Sequence, residues 1–285
     1  MFNRRVTFWI LLLIPLVWLG TFFLAPSLLM GVFSFRPDLV GDLRQLFVPT
    51  LAQYAKVLSE GSFLRLLGIS IGMALVVATV SVLLAFPIAY FLAFHSGKRA
   101  RFYLVLLLVP FWTSFLLRVM ALKLMLGSEG VIDSFLKYIG LTNATLNFLV
   151  YNRNAVMLTL IYVWIPFSAP PILAALQRID LNLFEAAADL GAGPFNQFME
   201  ITLPLSLPGV FASFFMAFIP TVGEYVTPLL VGGSAGSMYG NIIQDFFTKA
   251  ANWSLGSALS MVMLLVTAVM LVIATRLVKF EDLLQ

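Results

Sequence analysis

Residues 65–94 read RLLGISIGMALVVATVSVLLAFPIAYFLAF, and Arg65 at the start is the only charged residue in this run. A helix needs about 20 apolar residues to cross the hydrocarbon core of a bilayer, so the run is long enough. The rest of the chain has the same character, with 61% hydrophobic and 11% charged residues. A soluble domain carries roughly 25% charged residues. The sequence therefore predicts an all-α integral membrane protein.

Five more apolar segments of similar length surround this run. We predict six transmembrane helices within a single domain over residues 1–285, at about 9–33, 65–94, 102–126, 155–177, 207–230 and 255–278. Lys98, Arg99 and Arg101 crowd the short turn between the second and third spans. Short loops rich in Lys and Arg remain on the cytoplasmic side, and an even number of spans then places both termini there. The outer loops also carry cations, so this charge pattern favours the orientation without fixing it.

A polar, small-residue loop over residues 178–206 separates the fourth and fifth spans, on the predicted cytoplasmic side. It contains Glu185-Ala186-Ala187-Ala188-Asp189-Leu190-Gly191 and, further on, Ile201-Thr202-Leu203-Pro204. Asn182 can cap a helix there, and Gly191 with Gly193 can end it. Pro194 suits the first position of a second helix. The sequence predicts two short helices outside the membrane, and an amphipathic helix on the lipid surface is the simpler alternative.

The spacing in this loop resembles the cytoplasmic loop signature of permease subunits of ABC importers: Glu-Ala-Ala, three residues, Gly, nine residues, Ile, one residue, Leu-Pro. In that family the loop forms a coupling helix that docks in a cleft of the ATP-hydrolysing subunit. The resemblance implies the type I ABC importer permease fold. It assigns the ATPase-coupling role to Glu185, Ala186, Ala187, Asp189, Gly191, Ile201, Leu203 and Pro204.

Other segments are similar to spermidine/putrescine permeases, and the likeness is closest to the first permease subunit of that system. They are Pro110 to Arg118, Gly223 to Pro228, Leu230 to Gly233, and Asn252-Trp253. The resemblance implies a polyamine substrate and a bacterial cytoplasmic (inner) membrane location. It also implies a second homologous permease, two ATP-binding subunits and an extracytoplasmic substrate-binding protein as partners. Nucleic acid is not an expected partner.

Enzymatic chemistry has little support in the sequence. The chain has no GxxxxGK[ST] loop to cradle nucleotide phosphates, no cysteine, and a single histidine, His95. We expect no catalytic residue, no metal site and no cofactor in this chain, with ATP and Mg²⁺ bound by the partner ATPase. A gradient-driven secondary transporter or channel is the alternative from another class. An ABC importer permease for another small solute, such as an amino acid derivative, phosphonate, sugar or metal chelate, is a third possibility.

Glu224 is the main candidate for contact with a cationic substrate. A charge at mid-bilayer costs about 2.5–3.5 kcal/mol on insertion scales, so it should face a cavity or a partner. A carboxylate attracts ammonium groups, and aromatic faces of Trp112 and Tyr225 can lie against them. With Ser114 these residues form the predicted substrate path. A carboxylate that is near the membrane surface, or bonded to an adjacent subunit, is an equally open interpretation.

Overall fold

The computed structural model describes residues 4–37, 48–127, 130–140 and 151–277 of the protein. Every regular element within those ranges is a helix, as the apolar runs predict. The helices are α1 (Arg4–Leu19), α2 (Ala25–Ser34), α3 (Ala52–Ser59), α4 (Gly61–Phe94), α5 (Ala100–Leu108), α6 (Phe115–Leu126), α7 (Val131–Tyr138), α8 (Arg153–Leu176), α9 (Asn182–Asp189), α10 (Pro194–Gln197), α11 (Leu203–Val222), α12 (Tyr239–Thr248) and α13 (Trp253–Leu277).

Five helical runs in the described residues are long and apolar enough to cross a membrane. They are Leu11–Ser34, Gly61–Phe94, Arg153–Leu176, Pro194–Val222 and Trp253–Ala274. They correspond to the first, second, fourth, fifth and sixth predicted spans. The predicted sixth span ends at residue 278, which lies outside the described residues.

The predicted third span, 102–126, is not one helix. A 3₁₀ turn at Val109–Trp112 ends α5, and Thr113 and Ser114 are extended before α6 begins. Pro110 explains the interruption, because proline has no N–H to give to an α-helical hydrogen bond. The count of six spans therefore stays a prediction.

The predicted fifth span, 207–230, is displaced from the helix that the structure shows. A π turn at Phe198–Thr202 joins α10 to α11, so the helical run begins at Pro194. The run ends at Val222, where Gly223 follows. Hydropathy alone placed the end too late, because the apolar residues after Gly223 belong to a separate π-helical turn, Pro228–Gly232.

The chain forms two compact units. The first comprises the described parts of Met1–Arg65 and Ile242–Val266. In it, the Ser34 and Tyr54 hydroxyls lie 2.7 Å apart, and the Ser254 hydroxyl donates to the Pro37 carbonyl. The apolar side chains of its long helix, from Leu11 onward, are mostly exposed, as lipid contact requires. The single-domain prediction stays a prediction.

The second unit comprises the described parts of Leu66–Asn241 and Thr267–Gln285. One cluster of buried residues joins the C-terminal halves of α4 and α8, and Ile201 and Phe184 pack against it. A second cluster joins α4, α6 and α8 to the segment around Val231 and Met238. These two clusters position the polar loop and the Glu224 region, respectively.

Helices α8 and α11 pack closely in this second unit. A Cβ atom placed on Gly209 of α11 would lie 2.6 Å from the Ala175 Cβ atom and 2.6 Å from the Pro171 carbonyl oxygen of α8. The face of α11 that contains Gly209 is buried and carries only small side chains, those of Ser206, Ser213, Ala217 and Thr221. The absence of a side chain at Gly209 is what permits this close approach.

Candidate functional site

Helix α9 holds the first half of the loop signature, and its start differs from the prediction in one detail. The Asn182 N–H donates to the Asp180 carboxylate at 3.0 Å. Asn182 is itself the first helical residue and does not cap the helix. The prediction of an Asn182 cap was therefore wrong by two positions, because Asp180 has the same short hydrogen-bonding side chain and lies where the chain turns.

The end of α9 agrees with the prediction that Gly191 terminates it. Gly191 has φ +84, a left-handed conformation that favours glycine. The Gly191 N–H donates to the Ala188 carbonyl and the Ala192 N–H to the Ala187 carbonyl, each at 2.9 Å. This pair of bonds is the Schellman arrangement, which satisfies the last carbonyl groups of a helix.

The second half of the signature lies on the helix that continues into α11. Gly193 precedes Pro194 at the first position of α10, as predicted. The prediction of a separate short second helix was wrong, because the π turn carries α10 directly into α11. Ile201 lies in that turn, and Leu203 and Pro204 are the first two residues of α11.

The outer face of α9 is open. Glu185, Ala186 and Asp189 are exposed, and neither carboxylate forms an ion pair with any residue that the structure describes. Leu190 at its end is 89% exposed. Small side chains beside two acidic groups and an exposed leucine form a surface that another protein can approach closely.

The inner face of the loop rests on aromatic contacts with the end of α4. The Phe184 ring meets the Phe94 ring edge-on, with centroids 5.6 Å apart. The Phe198 ring meets the rings of Phe86 and Tyr90 at 5.9 and 6.2 Å. The loop is therefore anchored to a membrane-length helix on one side and exposed on the other.

Gln197 connects the two halves of the loop, and sequence reasoning missed it. Its Nε2 atom donates to the Ala192 carbonyl at 3.1 Å and to the Phe184 carbonyl at 3.3 Å. The sequence carried no signal for this role, because the partners of an amide depend on how the intervening turn folds.

Glu224 lies after α11, in a break between two helical segments, and not inside a helix as predicted. Its Oε1 atom accepts the N–H groups of Val226 at 2.8 Å and Thr227 at 3.0 Å. An acidic side chain that accepts N–H groups two and three residues later caps the start of a helical turn. The displacement has a simple cause, since Gly223 ends α11 immediately before it.

The break around Glu224 is held by α12. The Asn241 amide donates to the Tyr225 carbonyl at 2.8 Å, and its oxygen accepts the Met238 N–H at 2.9 Å. A Cβ atom on Gly240 would lie 2.7 Å from the Gly223 carbonyl oxygen and 2.8 Å from the Glu224 carbonyl oxygen. The backbone here is therefore tightly packed.

Tyr239 supports the same region from within. Its N–H donates to the Ser70 hydroxyl at 2.7 Å. The side chain is fully buried, and this burial raises the pKa of the Tyr239 phenol above its usual value.

The remaining residues of the predicted path lie on other elements. Trp112 ends the 3₁₀ turn and is 81% exposed, Ser114 precedes α6 and is exposed, and Tyr225 is 43% exposed. Within the described ranges, Trp112 and Ser114 make no hydrogen bond or ring contact with Glu224 or Tyr225. The structure does not join the four residues into one site, and the path stays a prediction.

The described part of the chain contains no group of three or more His, Cys, Asp or Glu side chains that could hold a metal ion. Its distinctive features are apolar helices of membrane length, an exposed helix held against two of them, and a capped helix break. These features define a multi-pass α-helical membrane protein with an exposed helical loop.

Comparison with known proteins identifies the family of the chain. Residues 85–281 match the family described as binding-protein-dependent transport system inner membrane component. The chain belongs to this family. It is a permease of a bacterial ABC importer, an inner-membrane protein.

The sequences of several known permeases align with this chain over almost its whole length. The chain is 33% identical to the spermidine/putrescine transport system permease protein PotB of Salmonella typhimurium, over 91% of this chain and 89% of that protein. It is 32% identical to PotB of Escherichia coli, over 91% and 93%. It is 31% identical to the inner membrane ABC transporter permease protein YdcU of Escherichia coli, over 99% and 93%.

A solved structure shares the fold. A chain of a bacterial ABC transporter involved in the import of the acidic polysaccharide alginate aligns with a TM-score of 0.73 at 18% identity. The alignment covers 96% of this chain and 95% of that chain. The type I importer permease fold, expected from the loop signature, thus has a structural counterpart over nearly the full length.

Proposed function

We propose that this permease transports a polyamine such as spermidine or putrescine. The observation that carries the proposal is the 33% identity, over 91% of the chain, to a permease named for those substrates. An amino acid derivative, phosphonate, sugar or metal chelate is the alternative cargo.

The translocation path would form between this chain and a second, homologous permease, with an extracytoplasmic binding protein supplying the solute. Glu224 supports a cationic solute, because only its Oε1 atom accepts bonds from described residues. The other carboxylate oxygen is then available to an ammonium group. Tyr225, next in the chain and partly exposed, offers an aromatic face to the same cation.

Two ATP-binding subunits would supply the energy, with ATP and Mg²⁺ bound there and not by this chain. Helix α9 would be the docking helix: Glu185, Ala186 and Asp189 lie on its exposed face, and Phe184 attaches its other face to α4. The orientation that fits this role has residues 178–206 and both termini in the cytoplasm.

Reconstitution of the whole complex in proteoliposomes tests both parts of the proposal. With binding protein and labelled spermidine outside and ATP trapped inside, we expect uptake that requires ATP and survives ionophores that collapse proton and sodium gradients. Uptake that follows an imposed gradient without ATP would establish the secondary-transporter alternative instead.

Stimulation of ATP hydrolysis identifies the cargo in the same preparation. We expect polyamines, presented by the binding protein, to raise the ATPase rate, and the other four solute classes to leave it at the basal value. Stimulation by one of those classes and not by polyamines would overturn the proposed substrate.

A further inference from the structure

The hydrogen bonds of Gln197 reach both the docking helix α9 and the turn that follows it. The Phe184 carbonyl belongs to the first turn of α9, and the Ala192 carbonyl lies just beyond the Schellman bonds that close it. Gln197 itself is the last residue of α10, which continues into α11. One half-buried amide thus bridges α9 and the run that becomes a membrane-length helix.

Two attachment points restrict α9 more than one would. Because one amide bonds a carbonyl of α9 and a carbonyl of the turn that follows it, α9 cannot change its angle to the α10–α11 run without breaking at least one of the two bonds. The Gln197 NH₂ group carries two hydrogens, one for each carbonyl. The neighbouring amide of Asn196 is exposed and makes no hydrogen bond with the described residues.

The other contacts of the loop are apolar and less directional. Phe184 meets Phe94 and Phe198 meets Phe86 through ring edges. Such contacts hold the loop on α4 but tolerate sliding, because the hydrophobic effect is non-directional. The directional connection between α9 and the α10–α11 run rests on Gln197.

We propose that Gln197 is a positioning residue that locks the docking helix α9 to the α10–α11 run, so that a displacement of α9 is transmitted to the membrane-length helix. The proposal rests on the coupling role of α9 proposed above. In this role Gln197 acts through the orientation of α9.

Gln197→Glu and Asn196→Asp form a matched pair that tests this role. Both replace an amide with a carboxylate, in adjacent residues of the same short helix. A carboxylate at 197 cannot donate and faces two carbonyl oxygens, whereas a carboxylate at 196 faces solvent. Gln197→Met removes the two donors without adding charge and serves as a second variant with nearly unchanged volume.

The first measurement is the distance between α9 and α11. The chain has no cysteine, so Asn182→Cys and Leu205→Cys give two unique spin-label sites in the full chain in nanodiscs. We expect a narrow distance distribution in the parent and in Asn196→Asp. Both Gln197 variants should give a broader one, and distributions of equal width in all four proteins would overturn the lock.

The second measurement is the number of ATP molecules hydrolysed per solute imported by the reconstituted complex. We expect a rise of roughly fivefold or more in both Gln197 variants, the lower end of factors that link coupled sites, and no rise in Asn196→Asp. Co-purification of the ATPase and a normal elution profile show that each variant is folded and assembled.

The Gly191→Val variant, run in parallel, separates the two proposals. If Gly191→Val raises the number of ATP molecules hydrolysed per solute and the Gln197 variants do not, the proposed role of Gln197 is wrong while the coupling role of α9 stands. If neither substitution raises the ratio, the coupling role itself fails. An equal rise in Asn196→Asp would also overturn the lock, because the effect would then come from added charge.

Discussion

Gly191 and Gly193 lie two residues apart in the same loop but differ in backbone conformation. Gly191 has φ +84, and Gly193 has φ −69. A Cβ atom on either would meet no other atom within 4 Å. Any difference between the same substitution at the two positions therefore comes from the backbone and not from a clash.

We predict that Gly191→Val uncouples ATP hydrolysis from uptake while the protein still inserts. Valine in the left-handed region costs about 1–2 kcal/mol, and the chain can avoid that cost only by abandoning the Schellman end of α9. Uptake and ATPase rates measured on the same proteoliposomes check this. Gly193→Val is the control and should retain coupling; normal coupling in Gly191→Val would contradict the proposed role of α9.

Glu224 allows its charge to be separated from its capping role. Glu224→Gln keeps an oxygen that can accept the Val226 and Thr227 N–H groups but removes the charge. We predict that it lowers polyamine uptake at least tenfold, since a tenfold loss corresponds to about 1.4 kcal/mol, with an unchanged melting temperature.

Glu224→Ala removes the cap as well, so it should lower both uptake and stability, the latter by about 1 kcal/mol. Thermal unfolding in detergent and uptake assays separate the two effects. Full uptake by Glu224→Gln would show that the carboxylate is a structural cap only.

At the residue scale the sequence predicted what depends on local chemistry. A glycine after an alanine-rich stretch predicted the end of α9, and the structure confirms it. The bonds of Gln197 and the cap formed by Glu224 could not be predicted in this way. The bonds of Gln197 depend on how the turn between α9 and α10 folds. The cap formed by Glu224 depends on where α11 ends, next to the closely packed Gly240.

At the element scale the apolar runs predicted helices well but their ends poorly. Hydropathy located the second span at 65–94, where α4 runs from Gly61 to Phe94. It failed at Pro110 and Gly223, where the chain leaves the α-helix inside an apolar stretch. Hydropathy measures transfer into lipid and carries no information on local backbone geometry, so such breaks escape it.

The close packing of α8 on α11 gives a prediction at this scale. Gly209→Ala places a Cβ atom 2.6 Å from the Pro171 carbonyl oxygen and from the Ala175 side chain. Overpacking of this kind costs about 1–3 kcal/mol. We expect a lower thermal unfolding temperature in detergent, together with reduced transport, because α11 carries the signature residues Leu203 and Pro204.

Gly72→Ala on α4 is the matched control. Its Cβ atom would meet nothing within 4 Å, and alanine is favoured over glycine inside a helix by roughly 0.5–1 kcal/mol. The unfolding temperature should therefore stay the same or rise. A fall of equal size in both variants would mean that the close approach at Gly209 does not matter.

At the scale of the whole molecule, the loop signature is sufficient to predict the family. The signature is specific because seven anchors at fixed spacing, from Glu185 to Pro204, are all present. The cargo is less tightly constrained, since one carboxylate such as Glu224 can serve several cationic solutes. The number of spans depends on whether α5 and α6 together cross the membrane despite the break at Pro110.

The topology can be tested with three exposed positions. Lys98 lies in the basic turn, Tyr138 ends α7, and Leu190 directly follows α9; Tyr138 and Leu190 are each 89% exposed. The chain has no cysteine, so Lys98→Cys, Tyr138→Cys and Leu190→Cys each create a unique thiol. A membrane-impermeant maleimide applied to intact spheroplasts, before and after permeabilisation, reports the side on which each thiol lies.

With six spans and cytoplasmic termini, α5 and α6 separate position 98 from position 138, and α8 separates 138 from 190. We therefore predict labelling from outside at 138 alone, with 98 and 190 reacting only after permeabilisation. If the α5–α6 segment enters and leaves on one side, positions 98 and 138 behave alike and 190 behaves oppositely. If the orientation is inverted, 98 and 190 react from outside, and α9 could not meet an ATPase in the cytoplasm.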